Sequence, residues 1–185
     1  MNVPVTAIPP PQPPPKFKGK PWLGLAASAI AIACIFTVPH EGTVHTAYPD
    51  PATHGAPYTI CQGHTQGVHQ GDTATDEQCA SYLALDMRVA ATVVARCIQV
   101  PLNVNQAAAL YDSVFNLGPQ VACGSTLQYF ANEGNLTAAC NQLPRWNKAG
   151  GRIWPGLTTR RMDARELCLY PPATSQMVYP NRTRT

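Results

Sequence analysis

The sequence predicts an α+β fold, mainly helical, with one small β-hairpin lobe near its beginning, and three observations carry that expectation. His40 to Thr65 is rich in Gly, Pro and Thr and alternates around Tyr48 and around Tyr58 to Ile60, with Gly55 and Pro57 between, as two short strands joined by a turn do. Apolar residues from Tyr82 to Val94 recur at the helical period behind a capping-box pattern at Thr75 to Gln78. Downstream, shorter apolar segments repeatedly start at a cap residue and stop at Gly or Pro.

The 185 residues bound one domain plus extensions. Hydrophobic residues make up 45% and charged residues 12%, a low charge content for a soluble chain. Residues 1 to 15 hold seven prolines and no charge, which reads as an unfolded or polyproline arm. Lys16, Lys18 and Lys20 follow, and then the uncharged run Pro21 to Val38. At helical rise that run spans roughly 27 Å, just enough for a bilayer core. The lysines would hold the front end in the cytoplasm and place everything after residue 39 outside. A cleaved signal peptide is the competing reading, but its cut near the end of this run would fall almost on Glu41. Gly24, Ala26, Ala27, Ser28, Ala29, Ala31 and Ala33 each add little transfer energy, so the span is weakly held in lipid.

In the hairpin stretch, Glu41 and Asp50 stand nine positions apart. They cannot share a helix face, because Pro49 and Pro51 bracket the second carboxylate. Chain reversal has to bring Asp50 and Thr59 back toward Glu41. Two carboxyl groups across a cleft suit glycoside hydrolysis, one protonating the leaving oxygen and the other remaining ionised. Taken alone, such a pair is more often two solvated surface acids.

The helix from Thr75 reaches about Cys97 and Pro101 ends the segment; Asn105 can cap a helix through Phe115 to Gly118. Ser125 can cap another to Gly134, Asn135 can start one that stops before Pro144, and a last helix is expected from Thr158 to before Pro171. The segment after Pro172 reads as a loose polar tail.

Three ordered segments between residues 40 and 170 resemble the phage lysozyme family, glycoside hydrolase family 24. They are the Glu41, Asp50, Thr59 spacing with Thr59-Ile60-Cys61-Gln62-Gly63-His64-Thr65; Gln106 to Gly118, closed by Phe115-Asn116-Leu117-Gly118; and Trp146, Ala149 to Arg152, Pro155 to Leu157, Arg160 and Arg161. The resemblance implies a two-lobed lysozyme-like fold with the hairpin lobe beside the active-site cleft and the 75–97 helix connecting the lobes. It implies hydrolysis of the N-acetylmuramic acid to N-acetylglucosamine bond of peptidoglycan. Glu41 would be the general acid, kept protonated by a partly apolar pocket, Asp50 would stay ionised and steer water, and Thr59 would position that water. Arg160 or Arg161 would form ion pairs near Glu41. The weak span resembles the signal-anchor-release arrangement of many phage endolysins, exported by the host secretion machinery, tethered inactive to the inner membrane, and then freed into the periplasm. A permanent anchor is the alternative.

The resulting division is an arm at 1–20, a releasable span at 21–39, a catalytic domain at 40–170 and a tail at 171–185. In the family a short helix leads into the acid, and the span is the only sequence available for it. On release it is expected to fold onto the domain with its apolar side chains over the core. While it sits in lipid, Glu41, three residues past Val38, is held at the headgroups and cannot frame a cleft.

Seven cysteines, at 34, 61, 79, 97, 123, 140 and 168, suit an oxidising compartment. Six allow fifteen connectivities, among which the sequence does not choose; the pairing expected here is Cys61 with Cys79, Cys97 with Cys123, and Cys140 with Cys168. Cys34 is left over, inert or able to exchange with a domain disulfide after release. No close cysteine pair and no helical His pair with a third carboxylate suggests a metal, and no cofactor is expected. Of the five histidines, most read as surface or hairpin residues. The net charge of +3 suits an anionic wall and is too small for nucleic acid; a monomer is expected. A lytic transglycosylase, and a non-catalytic wall-binding or membrane-disrupting protein, are the competing functions.

Overall fold

The computed structural model describes residues 22–50, 55–172 and 177–178, with the side chains of 22–25, 50 and 55 outside that description. The arm expected at 1–20 lies outside the described residues.

The chain opens with α1 (Trp22–Glu41), continues into an antiparallel hairpin of β1 (Val44–Asp50) and β2 (Gly55–Cys61), and then enters the long α2 (Asp76–Cys97). After it come β3 (Leu102–Asn103), α3 (Val104–Leu117), α4 (Thr126–Asn132) and α5 (Leu136–Cys140). A two-residue ribbon, β4 (Lys148–Ala149) and β5 (Arg152–Ile153), leads to α6 (Pro155–Leu169), and β6 (Met177–Val178) closes the order.

The helix starts follow from their caps. Thr75 accepts from the Gln78 amide while the Gln78 side chain accepts from the Thr75 amide, so both ends of the capping box are made. At α3 the same device is built two residues earlier than expected, on Asn103 and Gln106. Asn105, the expected cap, is instead a buried helix residue whose amide donates to the Tyr170 carbonyl at 3.1 Å. The last helix starts at Pro155 rather than Thr158, because proline is preorganised for the first helical turn.

Helix α3 is the axis of the body. Its residues Ala107, Ala108 and Ala109 are fully buried, with Leu110, Tyr111 and Val114 nearly so. Helices α1, α2 and α6 pack around it. A second, smaller core of Ile60, Cys61, Ala74 and Cys79 sits under the hairpin. Helix α2 contributes Cys79 to this core and Leu83, Met87, Ala90 and Val94 to the large one, and so joins two lobes.

Helix α1 presents Ala29, Ala33 and Thr37, all fully buried, at a spacing of four residues, which makes one stripe. The small side chains let the α1 and α3 backbones approach closely. On the opposite side Ile35 and Val38 are exposed. Among the described residues no helix is long and apolar enough to cross a membrane; the part of α1 with described side chains, 26–41, falls short of the roughly 20 apolar residues a span needs and ends on Pro39, His40 and Glu41.

Disulfides join Cys61 to Cys79, Cys97 to Cys123 and Cys140 to Cys168, and Cys34 is free. Where a loose tail is expected, Met177–Val178 pair with Leu102–Asn103, and Val178 is buried.

Candidate active site

Helix α1 runs through Pro39 and ends on Glu41. Gly42, at a φ of 70°, turns the chain out of the helix and donates back to the Val38 carbonyl at 3.2 Å. A side chain there would be strained. This turn delivers Glu41 to the root of the hairpin, where Gln62 donates to the Thr43 hydroxyl at 2.7 Å and ties the exit of β2 to the entry of β1.

The Glu41 side chain is 25% exposed. Its Oε1 accepts from the Arg160 guanidinium and from Asn116 Nδ2, the latter at 3.0 Å. A partly apolar pocket is expected around this acid, and the groups bonded to its carboxylate are polar. A cation on α6 and an amide on α3 seat it instead, and an ion pair between Arg160 and Glu41 is the arrangement expected from the Arg160-Arg161 segment.

Behind that seat lies a buried polar cluster. Asp112, fully buried on α3, accepts at Oδ1 from Arg160 Nη2 at 2.7 Å and from the Thr37 hydroxyl of α1 at 2.9 Å. Its Oδ2 lies 3.8 Å from Arg161 Nη1. Arg161, also fully buried, donates to Asn116 Oδ1, and Asn116 thereby bridges Arg161 to Glu41. Burial alone would lower the Arg160 guanidinium, but Asp112 and Glu41 outweigh it and the net shift is upward. For Arg161 burial prevails over the attraction of Asp112, with repulsion from Arg160 added, and its value falls to about 10. Both guanidiniums stay charged at neutral pH.

Asp50 ends β1 with its backbone opposite Gly55, and its side chain lies outside the described residues. Thr59 lies on β2 across from Tyr48 and is buried. The hairpin thus holds the backbones of Asp50 and Thr59 on one ribbon, two residues beyond the turn that carries Glu41.

His64 is buried at the end of the hairpin. Its Nδ1 lies 2.9 Å from Asp86 Oδ2 and its ring stacks on Tyr82 with centroids 4.5 Å apart, pinning the end of the hairpin to α2. Among the described residues no group of three or more His, Cys, Asp or Glu could hold a metal.

Thr37 and Asp112 do not stand out as site residues in the sequence, and Asn116 appears there only within the Phe115-Asn116-Leu117-Gly118 motif, with no role assigned. The available signal is one of two hydroxyls in an apolar span, beside Ser28, and a lone acid in the apolar run Ala107 to Val114.

The sequence profile of the phage lysozyme family matches residues 38–164. The chain belongs to the phage lysozyme family. It is a glycoside hydrolase of the lysozyme type. It is 39% identical to a SAR-endolysin of Pseudomonas phage phiKMV over 80% of this chain and 92% of that one. To a SAR-endolysin of Enterobacteria phage P21 it is 34% identical over 85% of this chain and 98% of the relative. The crystal structure of a mutant P22 lysozyme superposes with a TM-score of 0.66 at 32% identity, covering 75% of this chain and 95% of that one. In this phage lysozyme the family match begins at Val38, so it takes in the end of α1, the acid and the turn after it.

Proposed function

We propose that this phage lysozyme is an endolysin that cleaves the β-1,4 bond between N-acetylmuramic acid and N-acetylglucosamine of peptidoglycan. Glu41 is the general acid, Asp50 the carboxylate that stays ionised and steers water or stabilises the oxocarbenium-like state, and Thr59 the hydroxyl that positions the water. The observation that carries the reading is the seating of the Glu41 carboxylate by Arg160 and Asn116 at the root of the hairpin, in a chain of this family. Two donors on two different helices fix the position of a carboxyl group that is still partly open to solvent, and it has to take up a proton before it can deliver one to a bound substrate.

The reading extends to location. Residues 21–38 tether the exported chain to the host inner membrane on its periplasmic side, with residues 1–20 in the cytoplasm. Release of the span into the periplasm allows residues 22–41 to lie against α3. The relatives named SAR-endolysins and the weakly apolar composition of the run support this. In the tethered form Glu41 is held apart from Arg160 and Asn116, and the enzyme is silent.

The test is Glu41→Gln on purified sacculi. Loss of about 10²- to 10⁴-fold in clearing rate, with little change in thermal unfolding, is expected from removing one acid catalyst. Full residual activity refutes the assignment. Mass spectrometry of the wild-type products decides the reaction class: reducing muramic ends support hydrolysis, and anhydro-muramyl ends make the protein a transglycosylase.

A further inference from the structure

The donors on Glu41 are themselves unevenly supported. Arg160 has three nitrogens that could fix its pose. Nη1 is spent on Glu41, Nη2 on Asp112, and Nε has no hydrogen-bond partner among the described residues. The direction of the guanidinium toward Glu41 is therefore set by Asp112. Asp112 in turn is held through Oδ1 only, by Arg160 and by the Thr37 hydroxyl, whose single proton is shared with the Ala33 carbonyl at 2.8 Å, while its Oδ2 is without a hydrogen bond among the described residues, 3.8 Å from Arg161 Nη1, which also has no hydrogen-bond partner among them. Without the hydroxyl, rotation of the Asp112 carboxylate toward Arg161 would pair those two atoms and loosen its hold on Arg160. Among the described residues Thr37 is the one uncharged donor that opposes this rotation, and it stands on α1, the helix that also carries Glu41.

We propose that Thr37 and Asp112 are positioning residues for Glu41: the Thr37 hydroxyl locks the Asp112 carboxylate, which aims Arg160 at the acid, so the seat is complete only with α1 on α3. This rests on the reading of Glu41 as the general acid. Formal charge points the same way. Arg160 and Arg161 against Asp112 leave one buried positive charge in the body, and α1 brings both the carboxylate that neutralises it and the hydroxyl that orders it. The helix supplies the acid and part of the mount that points it.

The experiment compares Thr37→Val, which keeps the branched shape and removes the hydroxyl, with Thr37→Ser, which restores it, in the released full chain acting on soluble peptidoglycan fragments. Thr37→Val is expected to lower kcat about ten- to a hundredfold, the scale of a misplacement of roughly 1 Å at a catalytic group, with KM within twofold. Thr37→Ser is expected to recover most of that loss. The side-chain Nε–H resonance of Arg160, assigned by its absence in Arg160→Lys, is expected to shift in Thr37→Val and return in Thr37→Ser. A wild-type kcat in Thr37→Val, or a loss that merely tracks the unfolded fraction and is not recovered by Ser, overturns the proposal. Should Thr37→Val not fold, Thr37→Ala assayed in the cold takes its place under the same criteria. A normal Thr37→Val beside an inactive Glu41→Gln refutes this inference alone, whereas an active Glu41→Gln refutes the assignment of the acid itself.

Discussion

Replacing Asp112 by Asn removes the only fully buried negative charge of the cluster while nearly preserving its shape. The carboxylate sits 2.7 Å from Arg160 Nη2 and 3.8 Å from Arg161 Nη1. Its loss leaves two guanidiniums buried side by side with only the partly exposed Glu41 to balance them. Breaking a buried pair from one side costs about 3–5 kcal/mol, a large part of the roughly 5–15 kcal/mol that holds a domain together. At about 2–4 °C per kcal/mol for a chain of this length, the midpoint should fall by roughly 6–20 °C. Urea unfolding followed by tryptophan fluorescence under non-reducing conditions measures the cost. The double variant Asp112→Asn, Arg161→Met is the sharper arm, because burial already opposes the Arg161 charge. Removing that cation should recover about 1–2 kcal/mol of the single variant's loss. A single variant within about 1 kcal/mol of wild type, or a double variant that adds the full cost of Arg161→Met, would show that these charges are not coupled as described.

Three further outcomes follow from other parts of the fold. Burial pushes Tyr111 up to about 12, above its unfolded value, so it stabilises fully below about pH 10 and that contribution disappears between pH 10 and 12, worth about 2–3 kcal/mol. Arg161, lowered to about 10, acts in the opposite sense in both proteins, so the stability gap between Tyr111→Phe and wild type should move in favour of Phe over that window; a constant gap contradicts it. Ala33→Leu, fully buried in the α1 stripe, should cost about 1–3 kcal/mol by overpacking and slow clearing of sacculi, whereas Ile35→Ala, at a position 75% exposed, should leave both nearly unchanged; equal effects would place α1 differently. Cys97→Ser with Cys123→Ser, which opens a loop with a sequence separation of 26, should lower stability by roughly 3–4 kcal/mol on chain entropy, and a change under about 1 kcal/mol in the denaturant midpoint would count against it.

What the sequence made readable was mostly local. The Thr75 capping box, the stop of α2 before Pro101 and the two strands of the hairpin each depend on residues within a few positions of one another, although Gly55 and Pro57, expected between the strands, lie within β2. The disulfides match the expected pairing, although fifteen pairings were open. The pairing of Arg160 with Glu41, 119 residues apart, was reached through the family resemblance alone, and the Thr37 to Asp112 bond behind it, across 75 residues, was not readable at all. A lone threonine in an apolar run has the same appearance whether it bonds only its own helix or reaches across to another. Thr37 does both, with its hydroxyl also 2.8 Å from the Ala33 carbonyl. Asn103 and Asn105 are equally good caps by type, and the choice between them was made by Gln106 and by the burial of position 105 against Tyr170. The pairing of Met177 and Val178 with β3 depends on a chain return of some seventy residues that no local pattern announces.

The three cystines fasten residues 61 to 79, 97 to 123 and 140 to 168, and none of them reaches the leading helix. The contacts that seat that helix among the described residues are noncovalent, and they include small apolar surfaces, the Thr37 hydroxyl, the Arg160 and Asn116 bonds to Glu41 and the His40 contact with Asp163. The cross-links thus rivet the body behind the first helix and leave that helix joined to it by the peptide chain and by noncovalent contact alone.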